Sequence, residues 1–100
     1  MAKLEVDPVG EVEALSLEGN VLTVRSARPL PPGTRVMVRD AACAEPLADG
    51  KVASVDAGVG PGHAFDLRLR LFAPPRRSRA RIEELLRASA RAYQKKDPPT

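Results

Sequence analysis

A chain of 100 residues, 43% hydrophobic and 29% charged, is long enough for one domain with a modest core and too apolar for a disordered segment. Aromatic residues make up only 3%, so the core has to come mainly from Val, Leu and Ala. The net charge of +3 is uneven: residues 1–72 carry eight Lys and Arg against ten Asp and Glu, and residues 73–100 carry eight against three.

Five segments alternate apolar and polar residues in the manner of half-buried strands. Their predicted positions are roughly 9–17, 20–27, 34–40, 50–58 and 63–72. The side chains predicted to face inward are Leu22, Val24, Val36, Val38, Phe65, Leu67, Leu69 and Leu71. Those predicted to face outward are Thr23, Arg25, Arg35, Met37, Arg39, Asp66, Arg68 and Arg70.

Glycine and proline mark the connections between these strands. The P-P-G sequence at 31–33 predicts a stiff turn that no helix can cross. Residues 41–50 are predicted to be a loop that ends in an Asp49-Gly50 turn. The next strand alternates poorly around Val52 and Val55, which predicts a β-bulge there.

After Pro74-Pro75 the apolar spacing changes to that of an amphipathic helix. The predicted apolar stripe consists of Ile82, Leu85, Leu86, Ser89 and Tyr93. Ser78 is a candidate N-cap, and the prolines after Asp97 end the helix. The sequence therefore predicts a single, mainly β domain: a body at 1–75, a small antiparallel barrel or sandwich, and a basic C-terminal helix at 76–97.

The cysteine count and the N-terminus bear on location. Cys43 is the single cysteine, which excludes an internal disulfide, fits a reducing compartment and is expected to be a small buried or half-buried filler. The first residues lack the pattern of a secretory signal, and no apolar run approaches the roughly 18 residues of a membrane span. We expect a cytoplasmic protein.

The sequence offers little for catalysis. His63 is the single histidine, without the spaced Cys, His or carboxylate residues of a metal site and without an accompanying nucleophile. The glycine-rich stretch at 58–62 precedes a strand, so it lacks the helix N-terminus of a phosphate-binding loop. We expect no enzyme activity, no cofactor and no metal.

The C-terminal helix carries a basic cluster, R-R-S-R-A-R at 76–81, and Arg87, Arg91 and Lys95 recur every four residues after it. Glu83 can pair with Arg87 and interrupts this stripe. Three interpretations stay open: a solvated helix face, a contact with a polyanion such as nucleic acid, and a contact with an acidic protein partner.

The order of these elements resembles the PilZ family of bacterial signalling domains. The similarity covers roughly residues 9–93. It runs through A-L-S-L-E-G-N-V-L-T-V, P-L-P-P-G-T-R-V-M-V, D-G-K-V-A-S-V and H-A-F-D-L-R-L-R-L. The resemblance implies a six-stranded antiparallel β-barrel with a C-terminal helix, which narrows the fold to a barrel of five to six strands.

Family members that bind cyclic di-GMP carry an R-x-x-x-R stretch near the N-terminus and a later [D/N]-x-S-x-x-G. Ser16 and Gly19 match the second signature, but Ala14 stands at its acidic or amide position and has no hydrogen-bonding group. Residues 1–13 contain Lys3 and four acidic residues, so the first signature is missing. A ligand with two phosphates needs paired guanidinium groups, and this segment repels it.

Three hypotheses of function follow. The favoured one is a non-catalytic PilZ-like adaptor that binds proteins of a bacterial signalling, motility or surface-assembly system, or a second copy of itself, and does not bind cyclic di-GMP by the usual motif. Its candidate partner-binding residues are Met37, Arg68, Arg70, Phe72, Arg76, Arg77, Arg87 and Arg91.

The second hypothesis is a cyclic di-GMP receptor with a non-standard site. Such a site would use Ser16, Gly19, Arg25 and Arg28, or the arginines at 76–81. The third is nucleic-acid or polyanion binding through the basic helix, with an affinity that falls steeply with salt.

Overall fold

A computed structural model describes residues 2–43, 45–57 and 64–96, with side chains described through residue 88. The strands are β1 (Lys3–Asp7), β2 (Gly10–Glu18), β3 (Val21–Ser26), β4 (Arg35–Asp40), β5 (Pro46–Ala57) and β6 (Phe65–Leu71). One helix, α1 (Arg76–Lys96), follows them. No helix of the described ranges is both long and apolar enough to cross a membrane.

The six strands form a closed antiparallel barrel in the order β1-β2-β3-β6-β5-β4. Closure depends on β1, which pairs with β2 along one side and with β4 along the other. The predicted fold class, a small antiparallel barrel with a C-terminal helix, is confirmed.

The barrel interior is filled by aliphatic side chains from alternating strand positions, as the scarcity of aromatic residues requires. Leu22, Val24, Leu67 and Leu69 are each fully buried, so the inward faces predicted for β3 and β6 are confirmed. Val36 and Val38 on β4 are also buried, whereas Met37 between them is half-buried on the outer face.

Strand β1 is not among the predicted elements. Its five residues, K-L-E-V-D, contribute only two inward positions, Leu4 and Val6, and both are fully buried. Two apolar residues are too few to give a periodic signal, and the strand is stabilised by pairing on both sides rather than by its own composition.

The predicted loop at 41–50 is wrong in its second half, because β5 already begins at Pro46. Asp49 pairs with Met37, and Gly50 pairs with both Val36 and Leu71, so neither residue forms a turn. A Cβ added at Gly50 would lie 2.6 Å from the Arg70 carbonyl oxygen, and glycine is therefore required by the close approach of β6. The predicted bulge in this strand is confirmed between Val52 and Ser54.

Helix α1 begins at Arg76, two residues before the predicted cap, and Ser78 is buried inside its first turns rather than at its start. Ile82 is fully buried, and Leu85 and Leu86 pack against the same core. The described apolar stripe therefore faces the barrel, while the predicted stop after Asp97 lies outside the described residues.

Candidate functional site

The stretch A-L-S-L-E-G-N occupies the end of β2 and the turn into β3. Ala14 is buried in the core, and a bulge at Leu15 separates it from Ser16, which pairs with Thr23. Gly19 has a φ of 59°, in the left-handed region that favours glycine, and forms the tight turn together with Asn20. The serine and glycine of the signature thus have structural roles in a strand and its hairpin.

A depression of about 590 Å³ lies on the outer surface of this part of the barrel. Ser16, Thr23 and Arg68 line it, together with three carboxylates, Glu18, Asp56 and Asp66. Asp56 and Asp66 stand directly opposite each other on β5 and β6. The depression therefore contains more acidic than basic side chains, which disfavours an anionic ligand.

The other residues of the proposed non-standard site do not line this depression. The Arg25 Nε donates a hydrogen bond to the Asp66 Oδ1 at 3.2 Å, so its charge is already paired. Arg28 is exposed in the chain after β3, and its backbone N–H donates to the Ser26 hydroxyl at 3.1 Å. The structure thus brings Ser16 and Arg68 together and places Arg25 at the edge of the depression through its pair with Asp66, whereas Gly19 and Arg28 are not among the lining residues.

A second surface is formed by the outer faces of β4, β5 and β6. Arg35, Lys51 and Arg70 are direct cross-strand partners, Arg35 opposite Lys51 and Lys51 opposite Arg70, and all three are exposed. We call these three residues the cationic row. Within the described ranges, no carboxylate oxygen lies within 4.0 Å of their charged groups.

Apolar groups lie beside the cationic row. Phe72, just after β6, is 42% exposed. Within the described ranges it is the one large hydrophobic residue that is exposed. The Arg35 guanidinium carbon lies 5.8 Å from the centre of its ring, a cation–π distance. The Phe72 backbone N–H donates to the Asp49 carbonyl oxygen at 2.8 Å, and Asp49 pairs with Met37 on β4.

We call the cationic row, Arg68, Phe72 and Met37 together the cationic face. Four predicted partner-binding residues, Met37, Arg68, Arg70 and Phe72, belong to it. Sequence reasoning did not select Arg35 and Lys51, although both stand at outward positions of their strands. Only the strand register, which alternation does not reveal, places them beside Arg70.

Some arginines of the basic cluster of α1 form hydrogen bonds with the barrel, and others are exposed to solvent. The Arg79 Nη1 donates to the Gly19 carbonyl oxygen at 2.5 Å and to the Asn20 Oδ1 at 3.0 Å. The Glu83 Oε1 lies 3.9 Å from the Arg79 Nη2 on the same helix. Glu83 is thus paired with Arg79, whereas the sequence suggested a pair with Arg87.

Arg81 makes the second contact between helix and barrel. Its Nε donates to the Asp40 Oδ2 at 2.7 Å, and the Ala42 N–H donates to the other oxygen of the same carboxylate at 2.8 Å. These two donors, with that of Arg81 dominant, hold the pKa of Asp40 below its ordinary value. The carboxylate is therefore charged at neutral pH and anchors the helix.

The remaining helix residues have different environments. Arg76, Arg77 and Arg87 are exposed, and the side chain of Arg91 lies outside the described residues. Cys43 is exposed in the turn after β4, so its expected role as a buried or half-buried filler is wrong.

Within the ranges 2–43, 45–57 and 64–96, no group of three His, Cys, Asp or Glu side chains is placed to hold a metal ion. His63 lies outside those ranges. Comparisons of the chain with protein families, with curated proteins and with solved structures find no match to any of the three.

Proposed function

We propose that this chain is a non-catalytic, PilZ-like adaptor domain that acts by binding other proteins and does not bind cyclic di-GMP by the usual motif. The observation that carries the proposal is the charge of the surface around Ser16. Three carboxylates line that depression with one arginine, Arg68, and Arg25 at its edge is paired with Asp66, so the carboxylates still outnumber the arginines. A dianionic dinucleotide placed there meets net repulsion, because its phosphates need paired guanidinium groups.

The N-terminal strand adds to this argument. In the binding signature of the resembled family, arginines near the N-terminus hold the ligand, and here the one base of residues 1–13 is Lys3. Its Nζ lies 3.5 Å from the Glu11 Oε1, so its charge is already paired on the barrel surface. Residues 1–13 thus provide four acidic side chains and one lysine already paired with Glu11 where the binding signature has arginines.

A titration calorimetry experiment with cyclic di-GMP tests the proposal. We expect no heat of binding at micromolar concentrations of the whole chain. A matched variant, Glu18→Arg with Asp56→Asn, reverses the charge of the depression and serves to detect weak residual binding there. Micromolar affinity of the unmodified chain, lost in Arg25→Ala or Arg28→Ala, would support the non-standard receptor instead and end the adaptor proposal.

Polyanion binding through α1 is the weaker alternative, because Arg79 and Arg81 are engaged with the barrel. Among the side chains that the structure describes, through residue 88, Arg76, Arg77 and Arg87 are exposed cations of the helix. That alternative predicts binding to an oligonucleotide with a steep salt dependence, which charge reversal at Arg76 and Arg77 removes.

A further inference from the structure

We infer that the cationic face is the docking surface of this domain and that its partner is an acidic protein segment that also presents an apolar side chain. The inference rests on the proposed adaptor function and deepens it, since it names the surface and the chemistry of the partner.

The cationic row places three like charges side by side on adjacent strands. Direct cross-strand neighbours have Cβ atoms roughly 5 Å apart, and like charges at such positions destabilise a sheet. Arg35, Lys51 and Arg70 hold three such charges in adjacent strands. The mutual repulsion of the three charges costs the fold stability, whereas an anionic partner that lies across the three strands neutralises all three charges at once.

Arg68 lies beside the cationic row on β6, two positions before Arg70 on the same face, and is likewise exposed. It also borders the depression lined by Glu18, Asp56 and Asp66, so an acidic segment is favoured across the strands, along the cationic row, rather than along β6. The cationic row favours carboxylates on the partner.

The apolar part of the surface favours a protein. Phe72 is 42% exposed, and Met37 is half-buried on β4 in the same face, with Asp49 of β5 between them. Arginine, methionine and aromatic side chains are the types that are enriched in protein–protein interfaces. The Arg35 guanidinium over the Phe72 ring orients both groups before a partner arrives.

Nucleic acid fits this surface less well. Single-stranded nucleic acids bind through several stacking aromatic side chains, and the described ranges expose one large hydrophobic residue, Phe72. Asp49 is exposed between Met37 and Phe72, where its carboxylate can accept a hydrogen bond from a peptide N–H or a hydroxyl group of the partner.

A random peptide library displayed on phage, selected against the whole chain, tests the inference. We expect enrichment of peptides that combine several Asp or Glu residues with a Leu, Ile or Phe. Titration of the best synthetic peptide is then expected to show a loss of affinity of about tenfold or more in Lys51→Glu and in Phe72→Ala. Lys3→Glu makes the same charge change on β1 and is expected to leave the affinity within about twofold.

The Lys51→Glu variant also controls for folding. It places a carboxylate between two arginines, so its melting temperature is expected to be no lower than that of the unmodified chain. A loss of peptide affinity without a loss of stability then reports on the surface alone.

The outcomes separate this inference from the proposed function. If selected peptides lack acidic residues, or bind Lys51→Glu normally but lose affinity in Arg87→Glu, the docking surface is wrong while protein binding stands. If no peptide is enriched, both proposals fail. If a short oligothymidylate displaces labelled peptide from the cationic face at a lower concentration than unlabelled peptide does, the partner is nucleic acid and the inference is overturned.

Discussion

Gly50 is the residue whose role differs most between its sequence context and its structural position. The Asp49-Gly50 pair is typical of a hairpin turn, yet Gly50 lies inside β5, between Val36 and Leu71. The other described glycines, at 10, 19 and 33, have a positive φ and open space around the missing Cβ. Gly50 is required for space, and the other three for backbone conformation.

Substitution at Gly50 and Gly19 separates these two requirements. Gly50→Ala is expected to lower the free energy of unfolding by about 1–3 kcal/mol, because the new Cβ meets the backbone of β6. At Gly19 the conformation is the obstacle, so Gly19→Asn is expected to cost less than Gly19→Ala, since Asn tolerates a positive φ. Urea unfolding of the four variants, with Gly50→Asn as the fourth, measures both effects.

The order of stability of the Ala and Asn variants is expected to be opposite at positions 19 and 50. Asn at position 50 is larger than Ala and gains nothing from a positive φ, so Gly50→Asn is expected to be the most destabilised of the four. A Gly50→Ala protein as stable as the unmodified chain would mean that β5 and β6 do not approach as described.

At the scale of elements, the contact between α1 and the barrel depends on a polar pair at the edge of the core. Asp40 is 4% exposed, and its carboxylate accepts hydrogen bonds from Arg81 and from the Ala42 backbone. Ile82, the next residue of the helix, is fully buried. The ion pair therefore fixes the helix at the position where its apolar stripe enters the core.

This pair makes stability depend on pH in a defined direction. The pKa of Asp40 is lower in the folded chain than its ordinary value of 3.8. The stabilisation is therefore complete above the ordinary carboxyl pKa and is lost as the pH falls through the lower folded value. Asp40→Asn is expected to cost about 1–3 kcal/mol near neutral pH and clearly less at about pH 3.

Urea unfolding at the two pH values measures this difference. Asp66→Asn is the matched control, because its pair with Arg25 is more exposed and is expected to contribute less than about 1 kcal/mol. An Asp40→Asn variant with the same loss of stability at both pH values would show that the carboxylate charge does not hold the helix.

For the molecule as a whole, alternation and spacing were sufficient to predict five of the six strands and the helix. The inward residues of β3, β4 and β6 follow directly from a period of two, and the stripe around Ile82 follows from a period of 3.6. These signals are local, so a single sequence contains them.

The features that were missed depend on distant pairing. Strand β1 and the first half of β5 have weak patterns of their own and exist because β2 and β4 supply hydrogen-bonding partners. The same reason applies to the candidate site. Arg70 and Phe72 were predicted as surface residues from β6 alone, but Arg35 and Lys51 join them only through the register of three strands.

Removal of β1 is the test of the whole molecule. A chain that lacks residues 2–7 loses Leu4 and Val6 from the core, each worth about 1.5–3 kcal/mol, and leaves β2 and β4 each with one neighbour instead of two. We expect the truncated chain to lose cooperative unfolding and to form large species in light scattering. A synthetic peptide of residues 1–9 is expected to restore the barrel, whereas the same peptide with Leu4 and Val6 replaced by Asp is not.

A truncated chain that stays monomeric with an unchanged melting temperature would contradict the pairing of β1 with both neighbours.

Closure of the barrel also limits how any binding partner can attach. Each strand has two neighbours, so no strand of the described barrel lies wholly at an edge, although residues 16–18 of β2 and 54–57 of β5 pair along one side alone. Addition of a full further strand by β-augmentation is therefore disfavoured for the intact barrel. Selectivity among partners then depends mainly on side chains, so a few surface substitutions are expected to redirect it without altering the scaffold.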